Sequence, residues 1–351
     1  MRLLAAVATL AVIALLAAAL IPSGGSSGTK RFSVAAVAGH VSTTNGLPEH
    51  ITKVFGSNIS AKQYGTRIAN QENQGVDANG QLASDLSPIA PSAFAGPIAA
   101  YRAYAERWTR TLAADLPALR SALAGGGRAG AERAWAVAWG DYLHLGAVYG
   151  LLPGALDARI DGLPQMLPGN GPGSQFSGLH RIEYGLWNGA PPASLVPWVG
   201  QLQHDVVTLR RVLPTVQITP LDYATRAHEI LEDAQRDFLS GTDVPWSGAG
   251  VLGTAAGLVA TQEVIGTLTP LLQGRDNTLG EVQSWLLQLQ AVLNGLRAAH
   301  HGTYPSLGQM TTTQREQLDG TMTGTLGALS LVPGTLETTT LPVIPKIPST
   351  K

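Results

Sequence analysis

The chain has 351 residues, 44% of them hydrophobic and 13% charged, with a formal net charge of -1, so it is long enough for a sizeable core. It has no dense Lys/Arg run of the kind that meets a phosphate backbone, and nucleic acid is set aside as a partner. Cysteine is absent, which excludes disulfides, thiolate metal sites, cysteine nucleophiles and a lipid-bearing cysteine; any metal is to be held by oxygen and imidazole.

Residues 1–20 are a basic start (Arg2) followed by an unbroken apolar run, and IPSGGSSG then breaks the pattern. The predicted role of residues 1–22 is a signal peptide or a membrane anchor, with Ala17 to Ala19 offering small residues for cleavage. Either way the membrane is a partner through residues 1–20. The body is expected on the far side, in the cell envelope or periplasmic space, tethered or secreted. Residues 23–90 are polar and Gly/Asn-rich, with FSVAAVAGHV a strand at most, and are expected to be a low-structure linker or small extension.

Helical periodicity begins at Phe94. Ile98, Tyr101, Ala105, Trp108, Leu112, Leu116, Leu119 and Leu123 continue one apolar stripe, which Pro117 is expected to kink or split and Gly125 to Gly127 to end. After Arg128 a second stretch interleaves Ala with Trp135, Trp139 and Tyr142 and stops at Pro153-Gly154; aromatic residues at that spacing read as core before they read as a cofactor box. LDARID (156–161) puts Asp157 and Asp161 four apart on one helix face, where a solvated cap and a metal role compete. Further helices are predicted at 195–209, at 220–240 behind a Thr219-Pro220 start, and in 248–272, 278–300 and 312–331. The tail, 333–351, has the prolines of a disordered segment. The predicted body, 91–332, is therefore all-α, with seven or eight helices arranged as two antiparallel bundles.

The densest chemistry lies in SQFSGLHRIEYGLW (174–187). Leu179, Ile182 and Leu186 keep helical spacing, so His180 and Glu183, three apart, leave one face side by side. An imidazole beside a carboxylate suits a borderline or ferric cation; the plainer reading is a His-to-Glu hydrogen bond on a helix face. His228-Glu229 with Glu232 is not H-E-x-x-H and reads as a charged helix face, and His300-His301 reads as a helix end. No G-x-S-x-G elbow falls on a predicted strand-to-helix turn, the phosphate-loop fingerprint is absent, and GGGRAG (125–130) is too short and too isolated to count as a dinucleotide fingerprint.

GLHRIEYGLW is similar to the G-x-H-x-x-E signature of the imelysin-like proteins, specifically their EfeM/EfeO branch. PIAAYRAY (97–104), the stretch from Trp135 to Tyr142, LDARID, YATRAHEILED (223–233) and TLTPLLQGRD (267–276) fall in that family's order. The likeness spans residues 90 to 332 or so. It implies two four-helix bundles with a metal site near their junction. His180 and Glu183 match the motif directly, and Asp161 and then Asp157 match the acidic element before it. The function implied is that of the extracytoplasmic iron-binding component of an EfeUOB-type uptake system. It would bind ferrous or ferric iron, or another divalent metal, and pass it to a membrane iron permease alongside a haem-peroxidase-type partner. On that reading the protein is not an enzyme; a metallopeptidase and a metal-free helical interaction module are the alternatives. Where relatives carry acidic residues, this chain has Tyr142-Leu143-His144-Leu145-Gly146, so His144 is either a replacement ligand or ordinary core.

Overall fold

The computed structural model describes residues 89–164 and 176–336, together with the backbone of two short strands, β1 (Thr43–Thr44) and β2 (Leu47–Pro48), which pair antiparallel. The expected targeting segment and the FSVAAVAGHV strand lie outside the described residues. The described body is all-helical. Its elements are α1 (Ala95–Ala124), α2 (Arg128–Leu143), α3 (Leu156–Asp161), α4 (Gly178–Trp187), α5 (Val196–Val212), α6 (Pro220–Asp233), α7 (Gly250–Leu272), α8 (Thr278–Ala299), α9 (Thr312–Leu329) and α10 (Val332–Thr335).

The apolar stripe read from the sequence is the buried face of α1, with Tyr101, Ala105, Leu112, Leu116, Leu119 and Leu123 all withdrawn from solvent. Pro117 does not split this helix. It sits on the exposed face, where water can meet the carbonyl that a proline leaves unbonded. Helix α6 starts as the sequence predicts: the Thr219 hydroxyl accepts from the Asp222 amide while the Asp222 carboxylate accepts from the Thr219 amide, closing a capping box around Pro220.

Helix α1 packs on α2 and α5, α2 on α4, and α4 on α5; α6 packs on α7 and α9, α7 on α8, and α8 on α9. Helix α7 also touches α1 and α2, which is why it is apolar along most of its length and largely buried. One continuous core of side chains, from Ile89 to Leu336, runs through these contacts. Gly253 admits the Trp139 ring of α2 and the Phe238 ring to α7, because a Cβ there would lie 2.6 Å from Trp139 and 2.9 Å from Phe238.

The fold continues beyond the expected end of the helical body. Helix α10 covers Val332–Thr335, Leu336 is buried, and the Thr335 hydroxyl bonds that of Thr278 (2.9 Å). Residues 337–351 lie outside the described residues.

Candidate metal centre

Three segments deliver the site. Helix α4 begins at Gly178, whose φ of +81° is one that L side chains resist and where a Cβ would run into the Ile160 carbonyl. Glycine therefore lets α4 start hard against the end of α3, which places His180 beside Asp161. The apolar residues Leu179, Ile182 and Leu186 turn that face of α4 into the core and bury His180 and Glu183 completely.

The third segment follows α6. That helix runs into one π-turn over Ala234–Phe238, a wider winding that recurs at functional sites. Past it the Asp243 amide donates to the Asp237 carbonyl at 3.0 Å, Gly241 adopts φ +81°, and the chain turns so that Asp243 faces His180.

The polar geometry is specific. His180 Nδ1 lies 2.7 Å from Glu183 Oε2, and Glu183 Oε1 accepts from the Ser247 amide at 2.8 Å. A carboxylate can only accept, so with Glu183 ionised Nδ1 carries the hydrogen and the Nε2 lone pair faces outward. Nε2 lies 3.3 Å from Asp161 Oδ1 and 3.7 Å from Asp243 Oδ2. Neither His180 Nε2 nor Asp161 Oδ1 has a hydrogen-bond partner, although both are buried. One ligand atom from each of Asp161, His180 and Asp243 falls within a cluster no wider than 4.8 Å, and among the described residues it is the one cluster of its kind.

A lone pair turned towards two acceptor oxygens is unfavourable unless a cation or a proton lies between them. Electrostatics agree. Burial alone would depress His180, yet Asp161, Asp243 and Glu183 outweigh it and push the imidazole well above its usual range. Burial likewise pushes Asp161 well up, with Asp243, Glu183 and Asp157 adding to the shift and His180 opposing it. The donor set therefore fits a divalent or trivalent cation, which would take the place of those protons. The Asp161 and Asp243 side chains remain 13% and 20% exposed, so the cluster opens to solvent on the carboxylate side.

Of the residues expected from the sequence, His180 and Asp161 meet at this point. Glu183 adjoins the cluster from behind, bound to the other imidazole nitrogen. Asp157 is one turn away with both oxygens engaged, Oδ1 by the Tyr142 hydroxyl and Oδ2 by the Gly150 amide, each at 3.2 Å. His144 is elsewhere: its ring stacks on Trp108 with centroids 3.5 Å apart, Nδ1 meets the Tyr104 hydroxyl at 2.7 Å, and burial pushes its pKa down to about 4. His228 pairs with Glu232 and Glu229 with Arg226, as a charged helix face does. Asp243 escaped sequence reasoning. Its one local signal is a lone acid in the turn-forming stretch SGTDVPW, sixty-three positions from His180.

An all-helical body with an imidazole and two carboxylates converging from three segments defines a helical protein with a candidate cation site. Comparison with known proteins narrows the class. The chain is 24% identical over 260 residues to the iron uptake system component EfeO of Yersinia pseudotuberculosis serotype I, covering 72% of this chain and 68% of that protein. It is 24% identical over 245 residues to EfeO of Escherichia coli O6:H1, covering 69% and 64%. No protein-family model matches. These distant relatives support an EfeO-like family and a role in iron uptake.

Proposed function

We propose that this protein is a non-enzymatic iron-binding component of an extracytoplasmic, EfeUOB-type uptake system. It holds the ion between Asp161, His180 and Asp243 and passes it to a membrane permease alongside a haem-peroxidase-type partner. The reading includes delivery across the membrane by residues 1–20 and an imelysin-like body of two four-helix bundles. Helices α1, α2, α4 and α5 would form one bundle and α6 to α9 the other, and their neighbour contacts support that grouping. Glu183 is assigned the supporting role: it fixes the imidazole tautomer and orientation from behind, the arrangement that raises the basicity of a metal-binding histidine.

The observation that carries this reading is the outward-facing Nε2 without a partner beside two carboxylates. Two oxygen donors and one imidazole suit iron better than a soft metal. A metallopeptidase needs a positioned general base beside the ion as well as ligands, and Glu183 has both oxygens engaged, by His180 and by the Ser247 amide. The test is equilibrium dialysis against ferrous and ferric iron with the wild-type chain, His180→Ala and Asp243→Ala. One ion per wild-type chain and none per variant is expected. Equal binding by all three would refute the assignment, and metal-dependent casein cleavage would move it to the peptidase.

A further inference from the structure

Four rings stand in series between the candidate metal centre and the protein surface. The His180 ring meets Trp139 with centroids 6.2 Å apart, Trp139 stacks on Trp135 at 5.5 Å with an interplanar angle of 9°, and Trp135 meets Trp187 edge-on at 5.2 Å. Three of the four are fully buried, whereas Trp187, at the end of α4, is half-buried and reaches solvent. Indole is among the most easily oxidised side chains, and rings in contact exchange single electrons faster than they react. We propose that Trp139, Trp135 and Trp187 form a conduit that draws oxidising equivalents away from the ion site to the surface. The proposal rests on the reading that the cargo is iron.

The hydrogen bonds give the conduit its direction. An oxidised indole is trapped when it loses its N–H proton to a base. Trp139 Nε1 is buried with no hydrogen-bond partner, and Trp135 Nε1 donates at 2.8 Å to the Leu179 carbonyl, which is not a base. Neither inner ring can discharge its proton. Trp187 can give one to water, so the oxidation comes to rest there, away from the ligands.

The chemistry balances with hydrogen peroxide as oxidant. Peroxide meeting bound ferrous iron takes one electron from the ion, leaving it ferric, and a second from Trp187 by way of Trp135 and Trp139. The O–O bond breaks, the Trp187 N–H proton goes to water, two protons are taken up from solvent, and two water molecules form. The Trp187 radical then combines with dissolved oxygen, and that product marks the endpoint.

The experiment uses the full chain, loaded with ferrous iron, freed of excess metal and assayed for iron before brief peroxide treatment in air. Peptide mass spectrometry then locates the added oxygen. Modification concentrated on Trp187 is expected, with its loss in Trp135→Phe and transfer to Trp139 and His180. Trp187→Phe, at a half-exposed position, is the second variant if Trp135→Phe fails to fold; it should shift modification onto the inner rings and His180. Iron-loaded wild type with a clean Trp187, undiminished modification of Trp187 in Trp135→Phe, or an identical pattern in zinc-loaded protein would overturn the conduit. Failure to retain iron before peroxide is added would instead refute the uptake reading and take the conduit with it.

Discussion

Glu183 stands behind His180: its carboxylate holds Nδ1 at 2.7 Å, while Nε2, on the far side of the ring, faces Asp161 at 3.3 Å. The two polar residues of the H-x-x-E pattern thus play different parts. One meets the ion and the other sets the tautomer of the first.

That division predicts graded losses. Glu183→Gln should weaken metal binding by roughly 10–100-fold, the usual cost of losing a carboxylate behind a histidine ligand. His180→Ala should abolish it. Titration calorimetry with cobalt(II) as a stable stand-in distinguishes the two, and loss of all binding in Glu183→Gln would make Glu183 a ligand.

Metal binding should release protons, and affinity should rise with pH. In the metal-free protein the surrounding carboxylates outweigh burial and push His180 up, and burial pushes Asp161 up, so the cluster shares a proton that the ion must displace. Calorimetry in two buffers of different ionisation enthalpy measures the release directly. Identical heats in both buffers would contradict the account.

Gly178→Ala should cost at least ~2 kcal/mol of stability and lose the site, since it combines a left-handed backbone with a collision at the Ile160 carbonyl. Chemical denaturation measures the first effect and metal titration the second. A variant of unchanged stability would show that α4 need not start so close to α3.

Much of this was legible in the sequence, and for identifiable reasons. Periodicity located α1, α5 and α6 because each buries one stripe, and Thr219-Pro220 marked a start because a cap and a fixed φ act locally. His180 stood out through its partner three residues on. The roles within the pair were not legible, because helical spacing states that side chains are neighbours and not which imidazole nitrogen each faces. Asp243 lay beyond reach for a stronger reason: its position depends on a π-turn and on packing between segments far apart in the chain.

Asp141 carries a separate prediction. It is buried on α2, its Oδ2 lacks a partner, and burial together with hydrogen bonding and repulsion from Asp115 pushes its pKa up to about 7. A folded-state pKa above the unfolded value of about 3.9 means that its protonated form favours folding. That contribution is complete at low pH and is lost as pH rises from about 4 to about 7. Asp141→Asn should therefore stabilise the protein by about 1–3 kcal/mol at pH 8, the scale of a buried unsatisfied group, with the gain shrinking towards pH 5. Thermal melts at the two pH values check it, and a pH-independent difference would contradict it.

The most direct measurement is the anomalous-scattering position of iron in a crystal of the loaded protein. The account predicts a peak about 2 Å from His180 Nε2 and from a carboxylate oxygen of each of Asp161 and Asp243, a typical ligand distance, with Glu183 still on Nδ1. A peak bonded to Glu183 with Asp243 turned away, or no peak near His180, would contradict it.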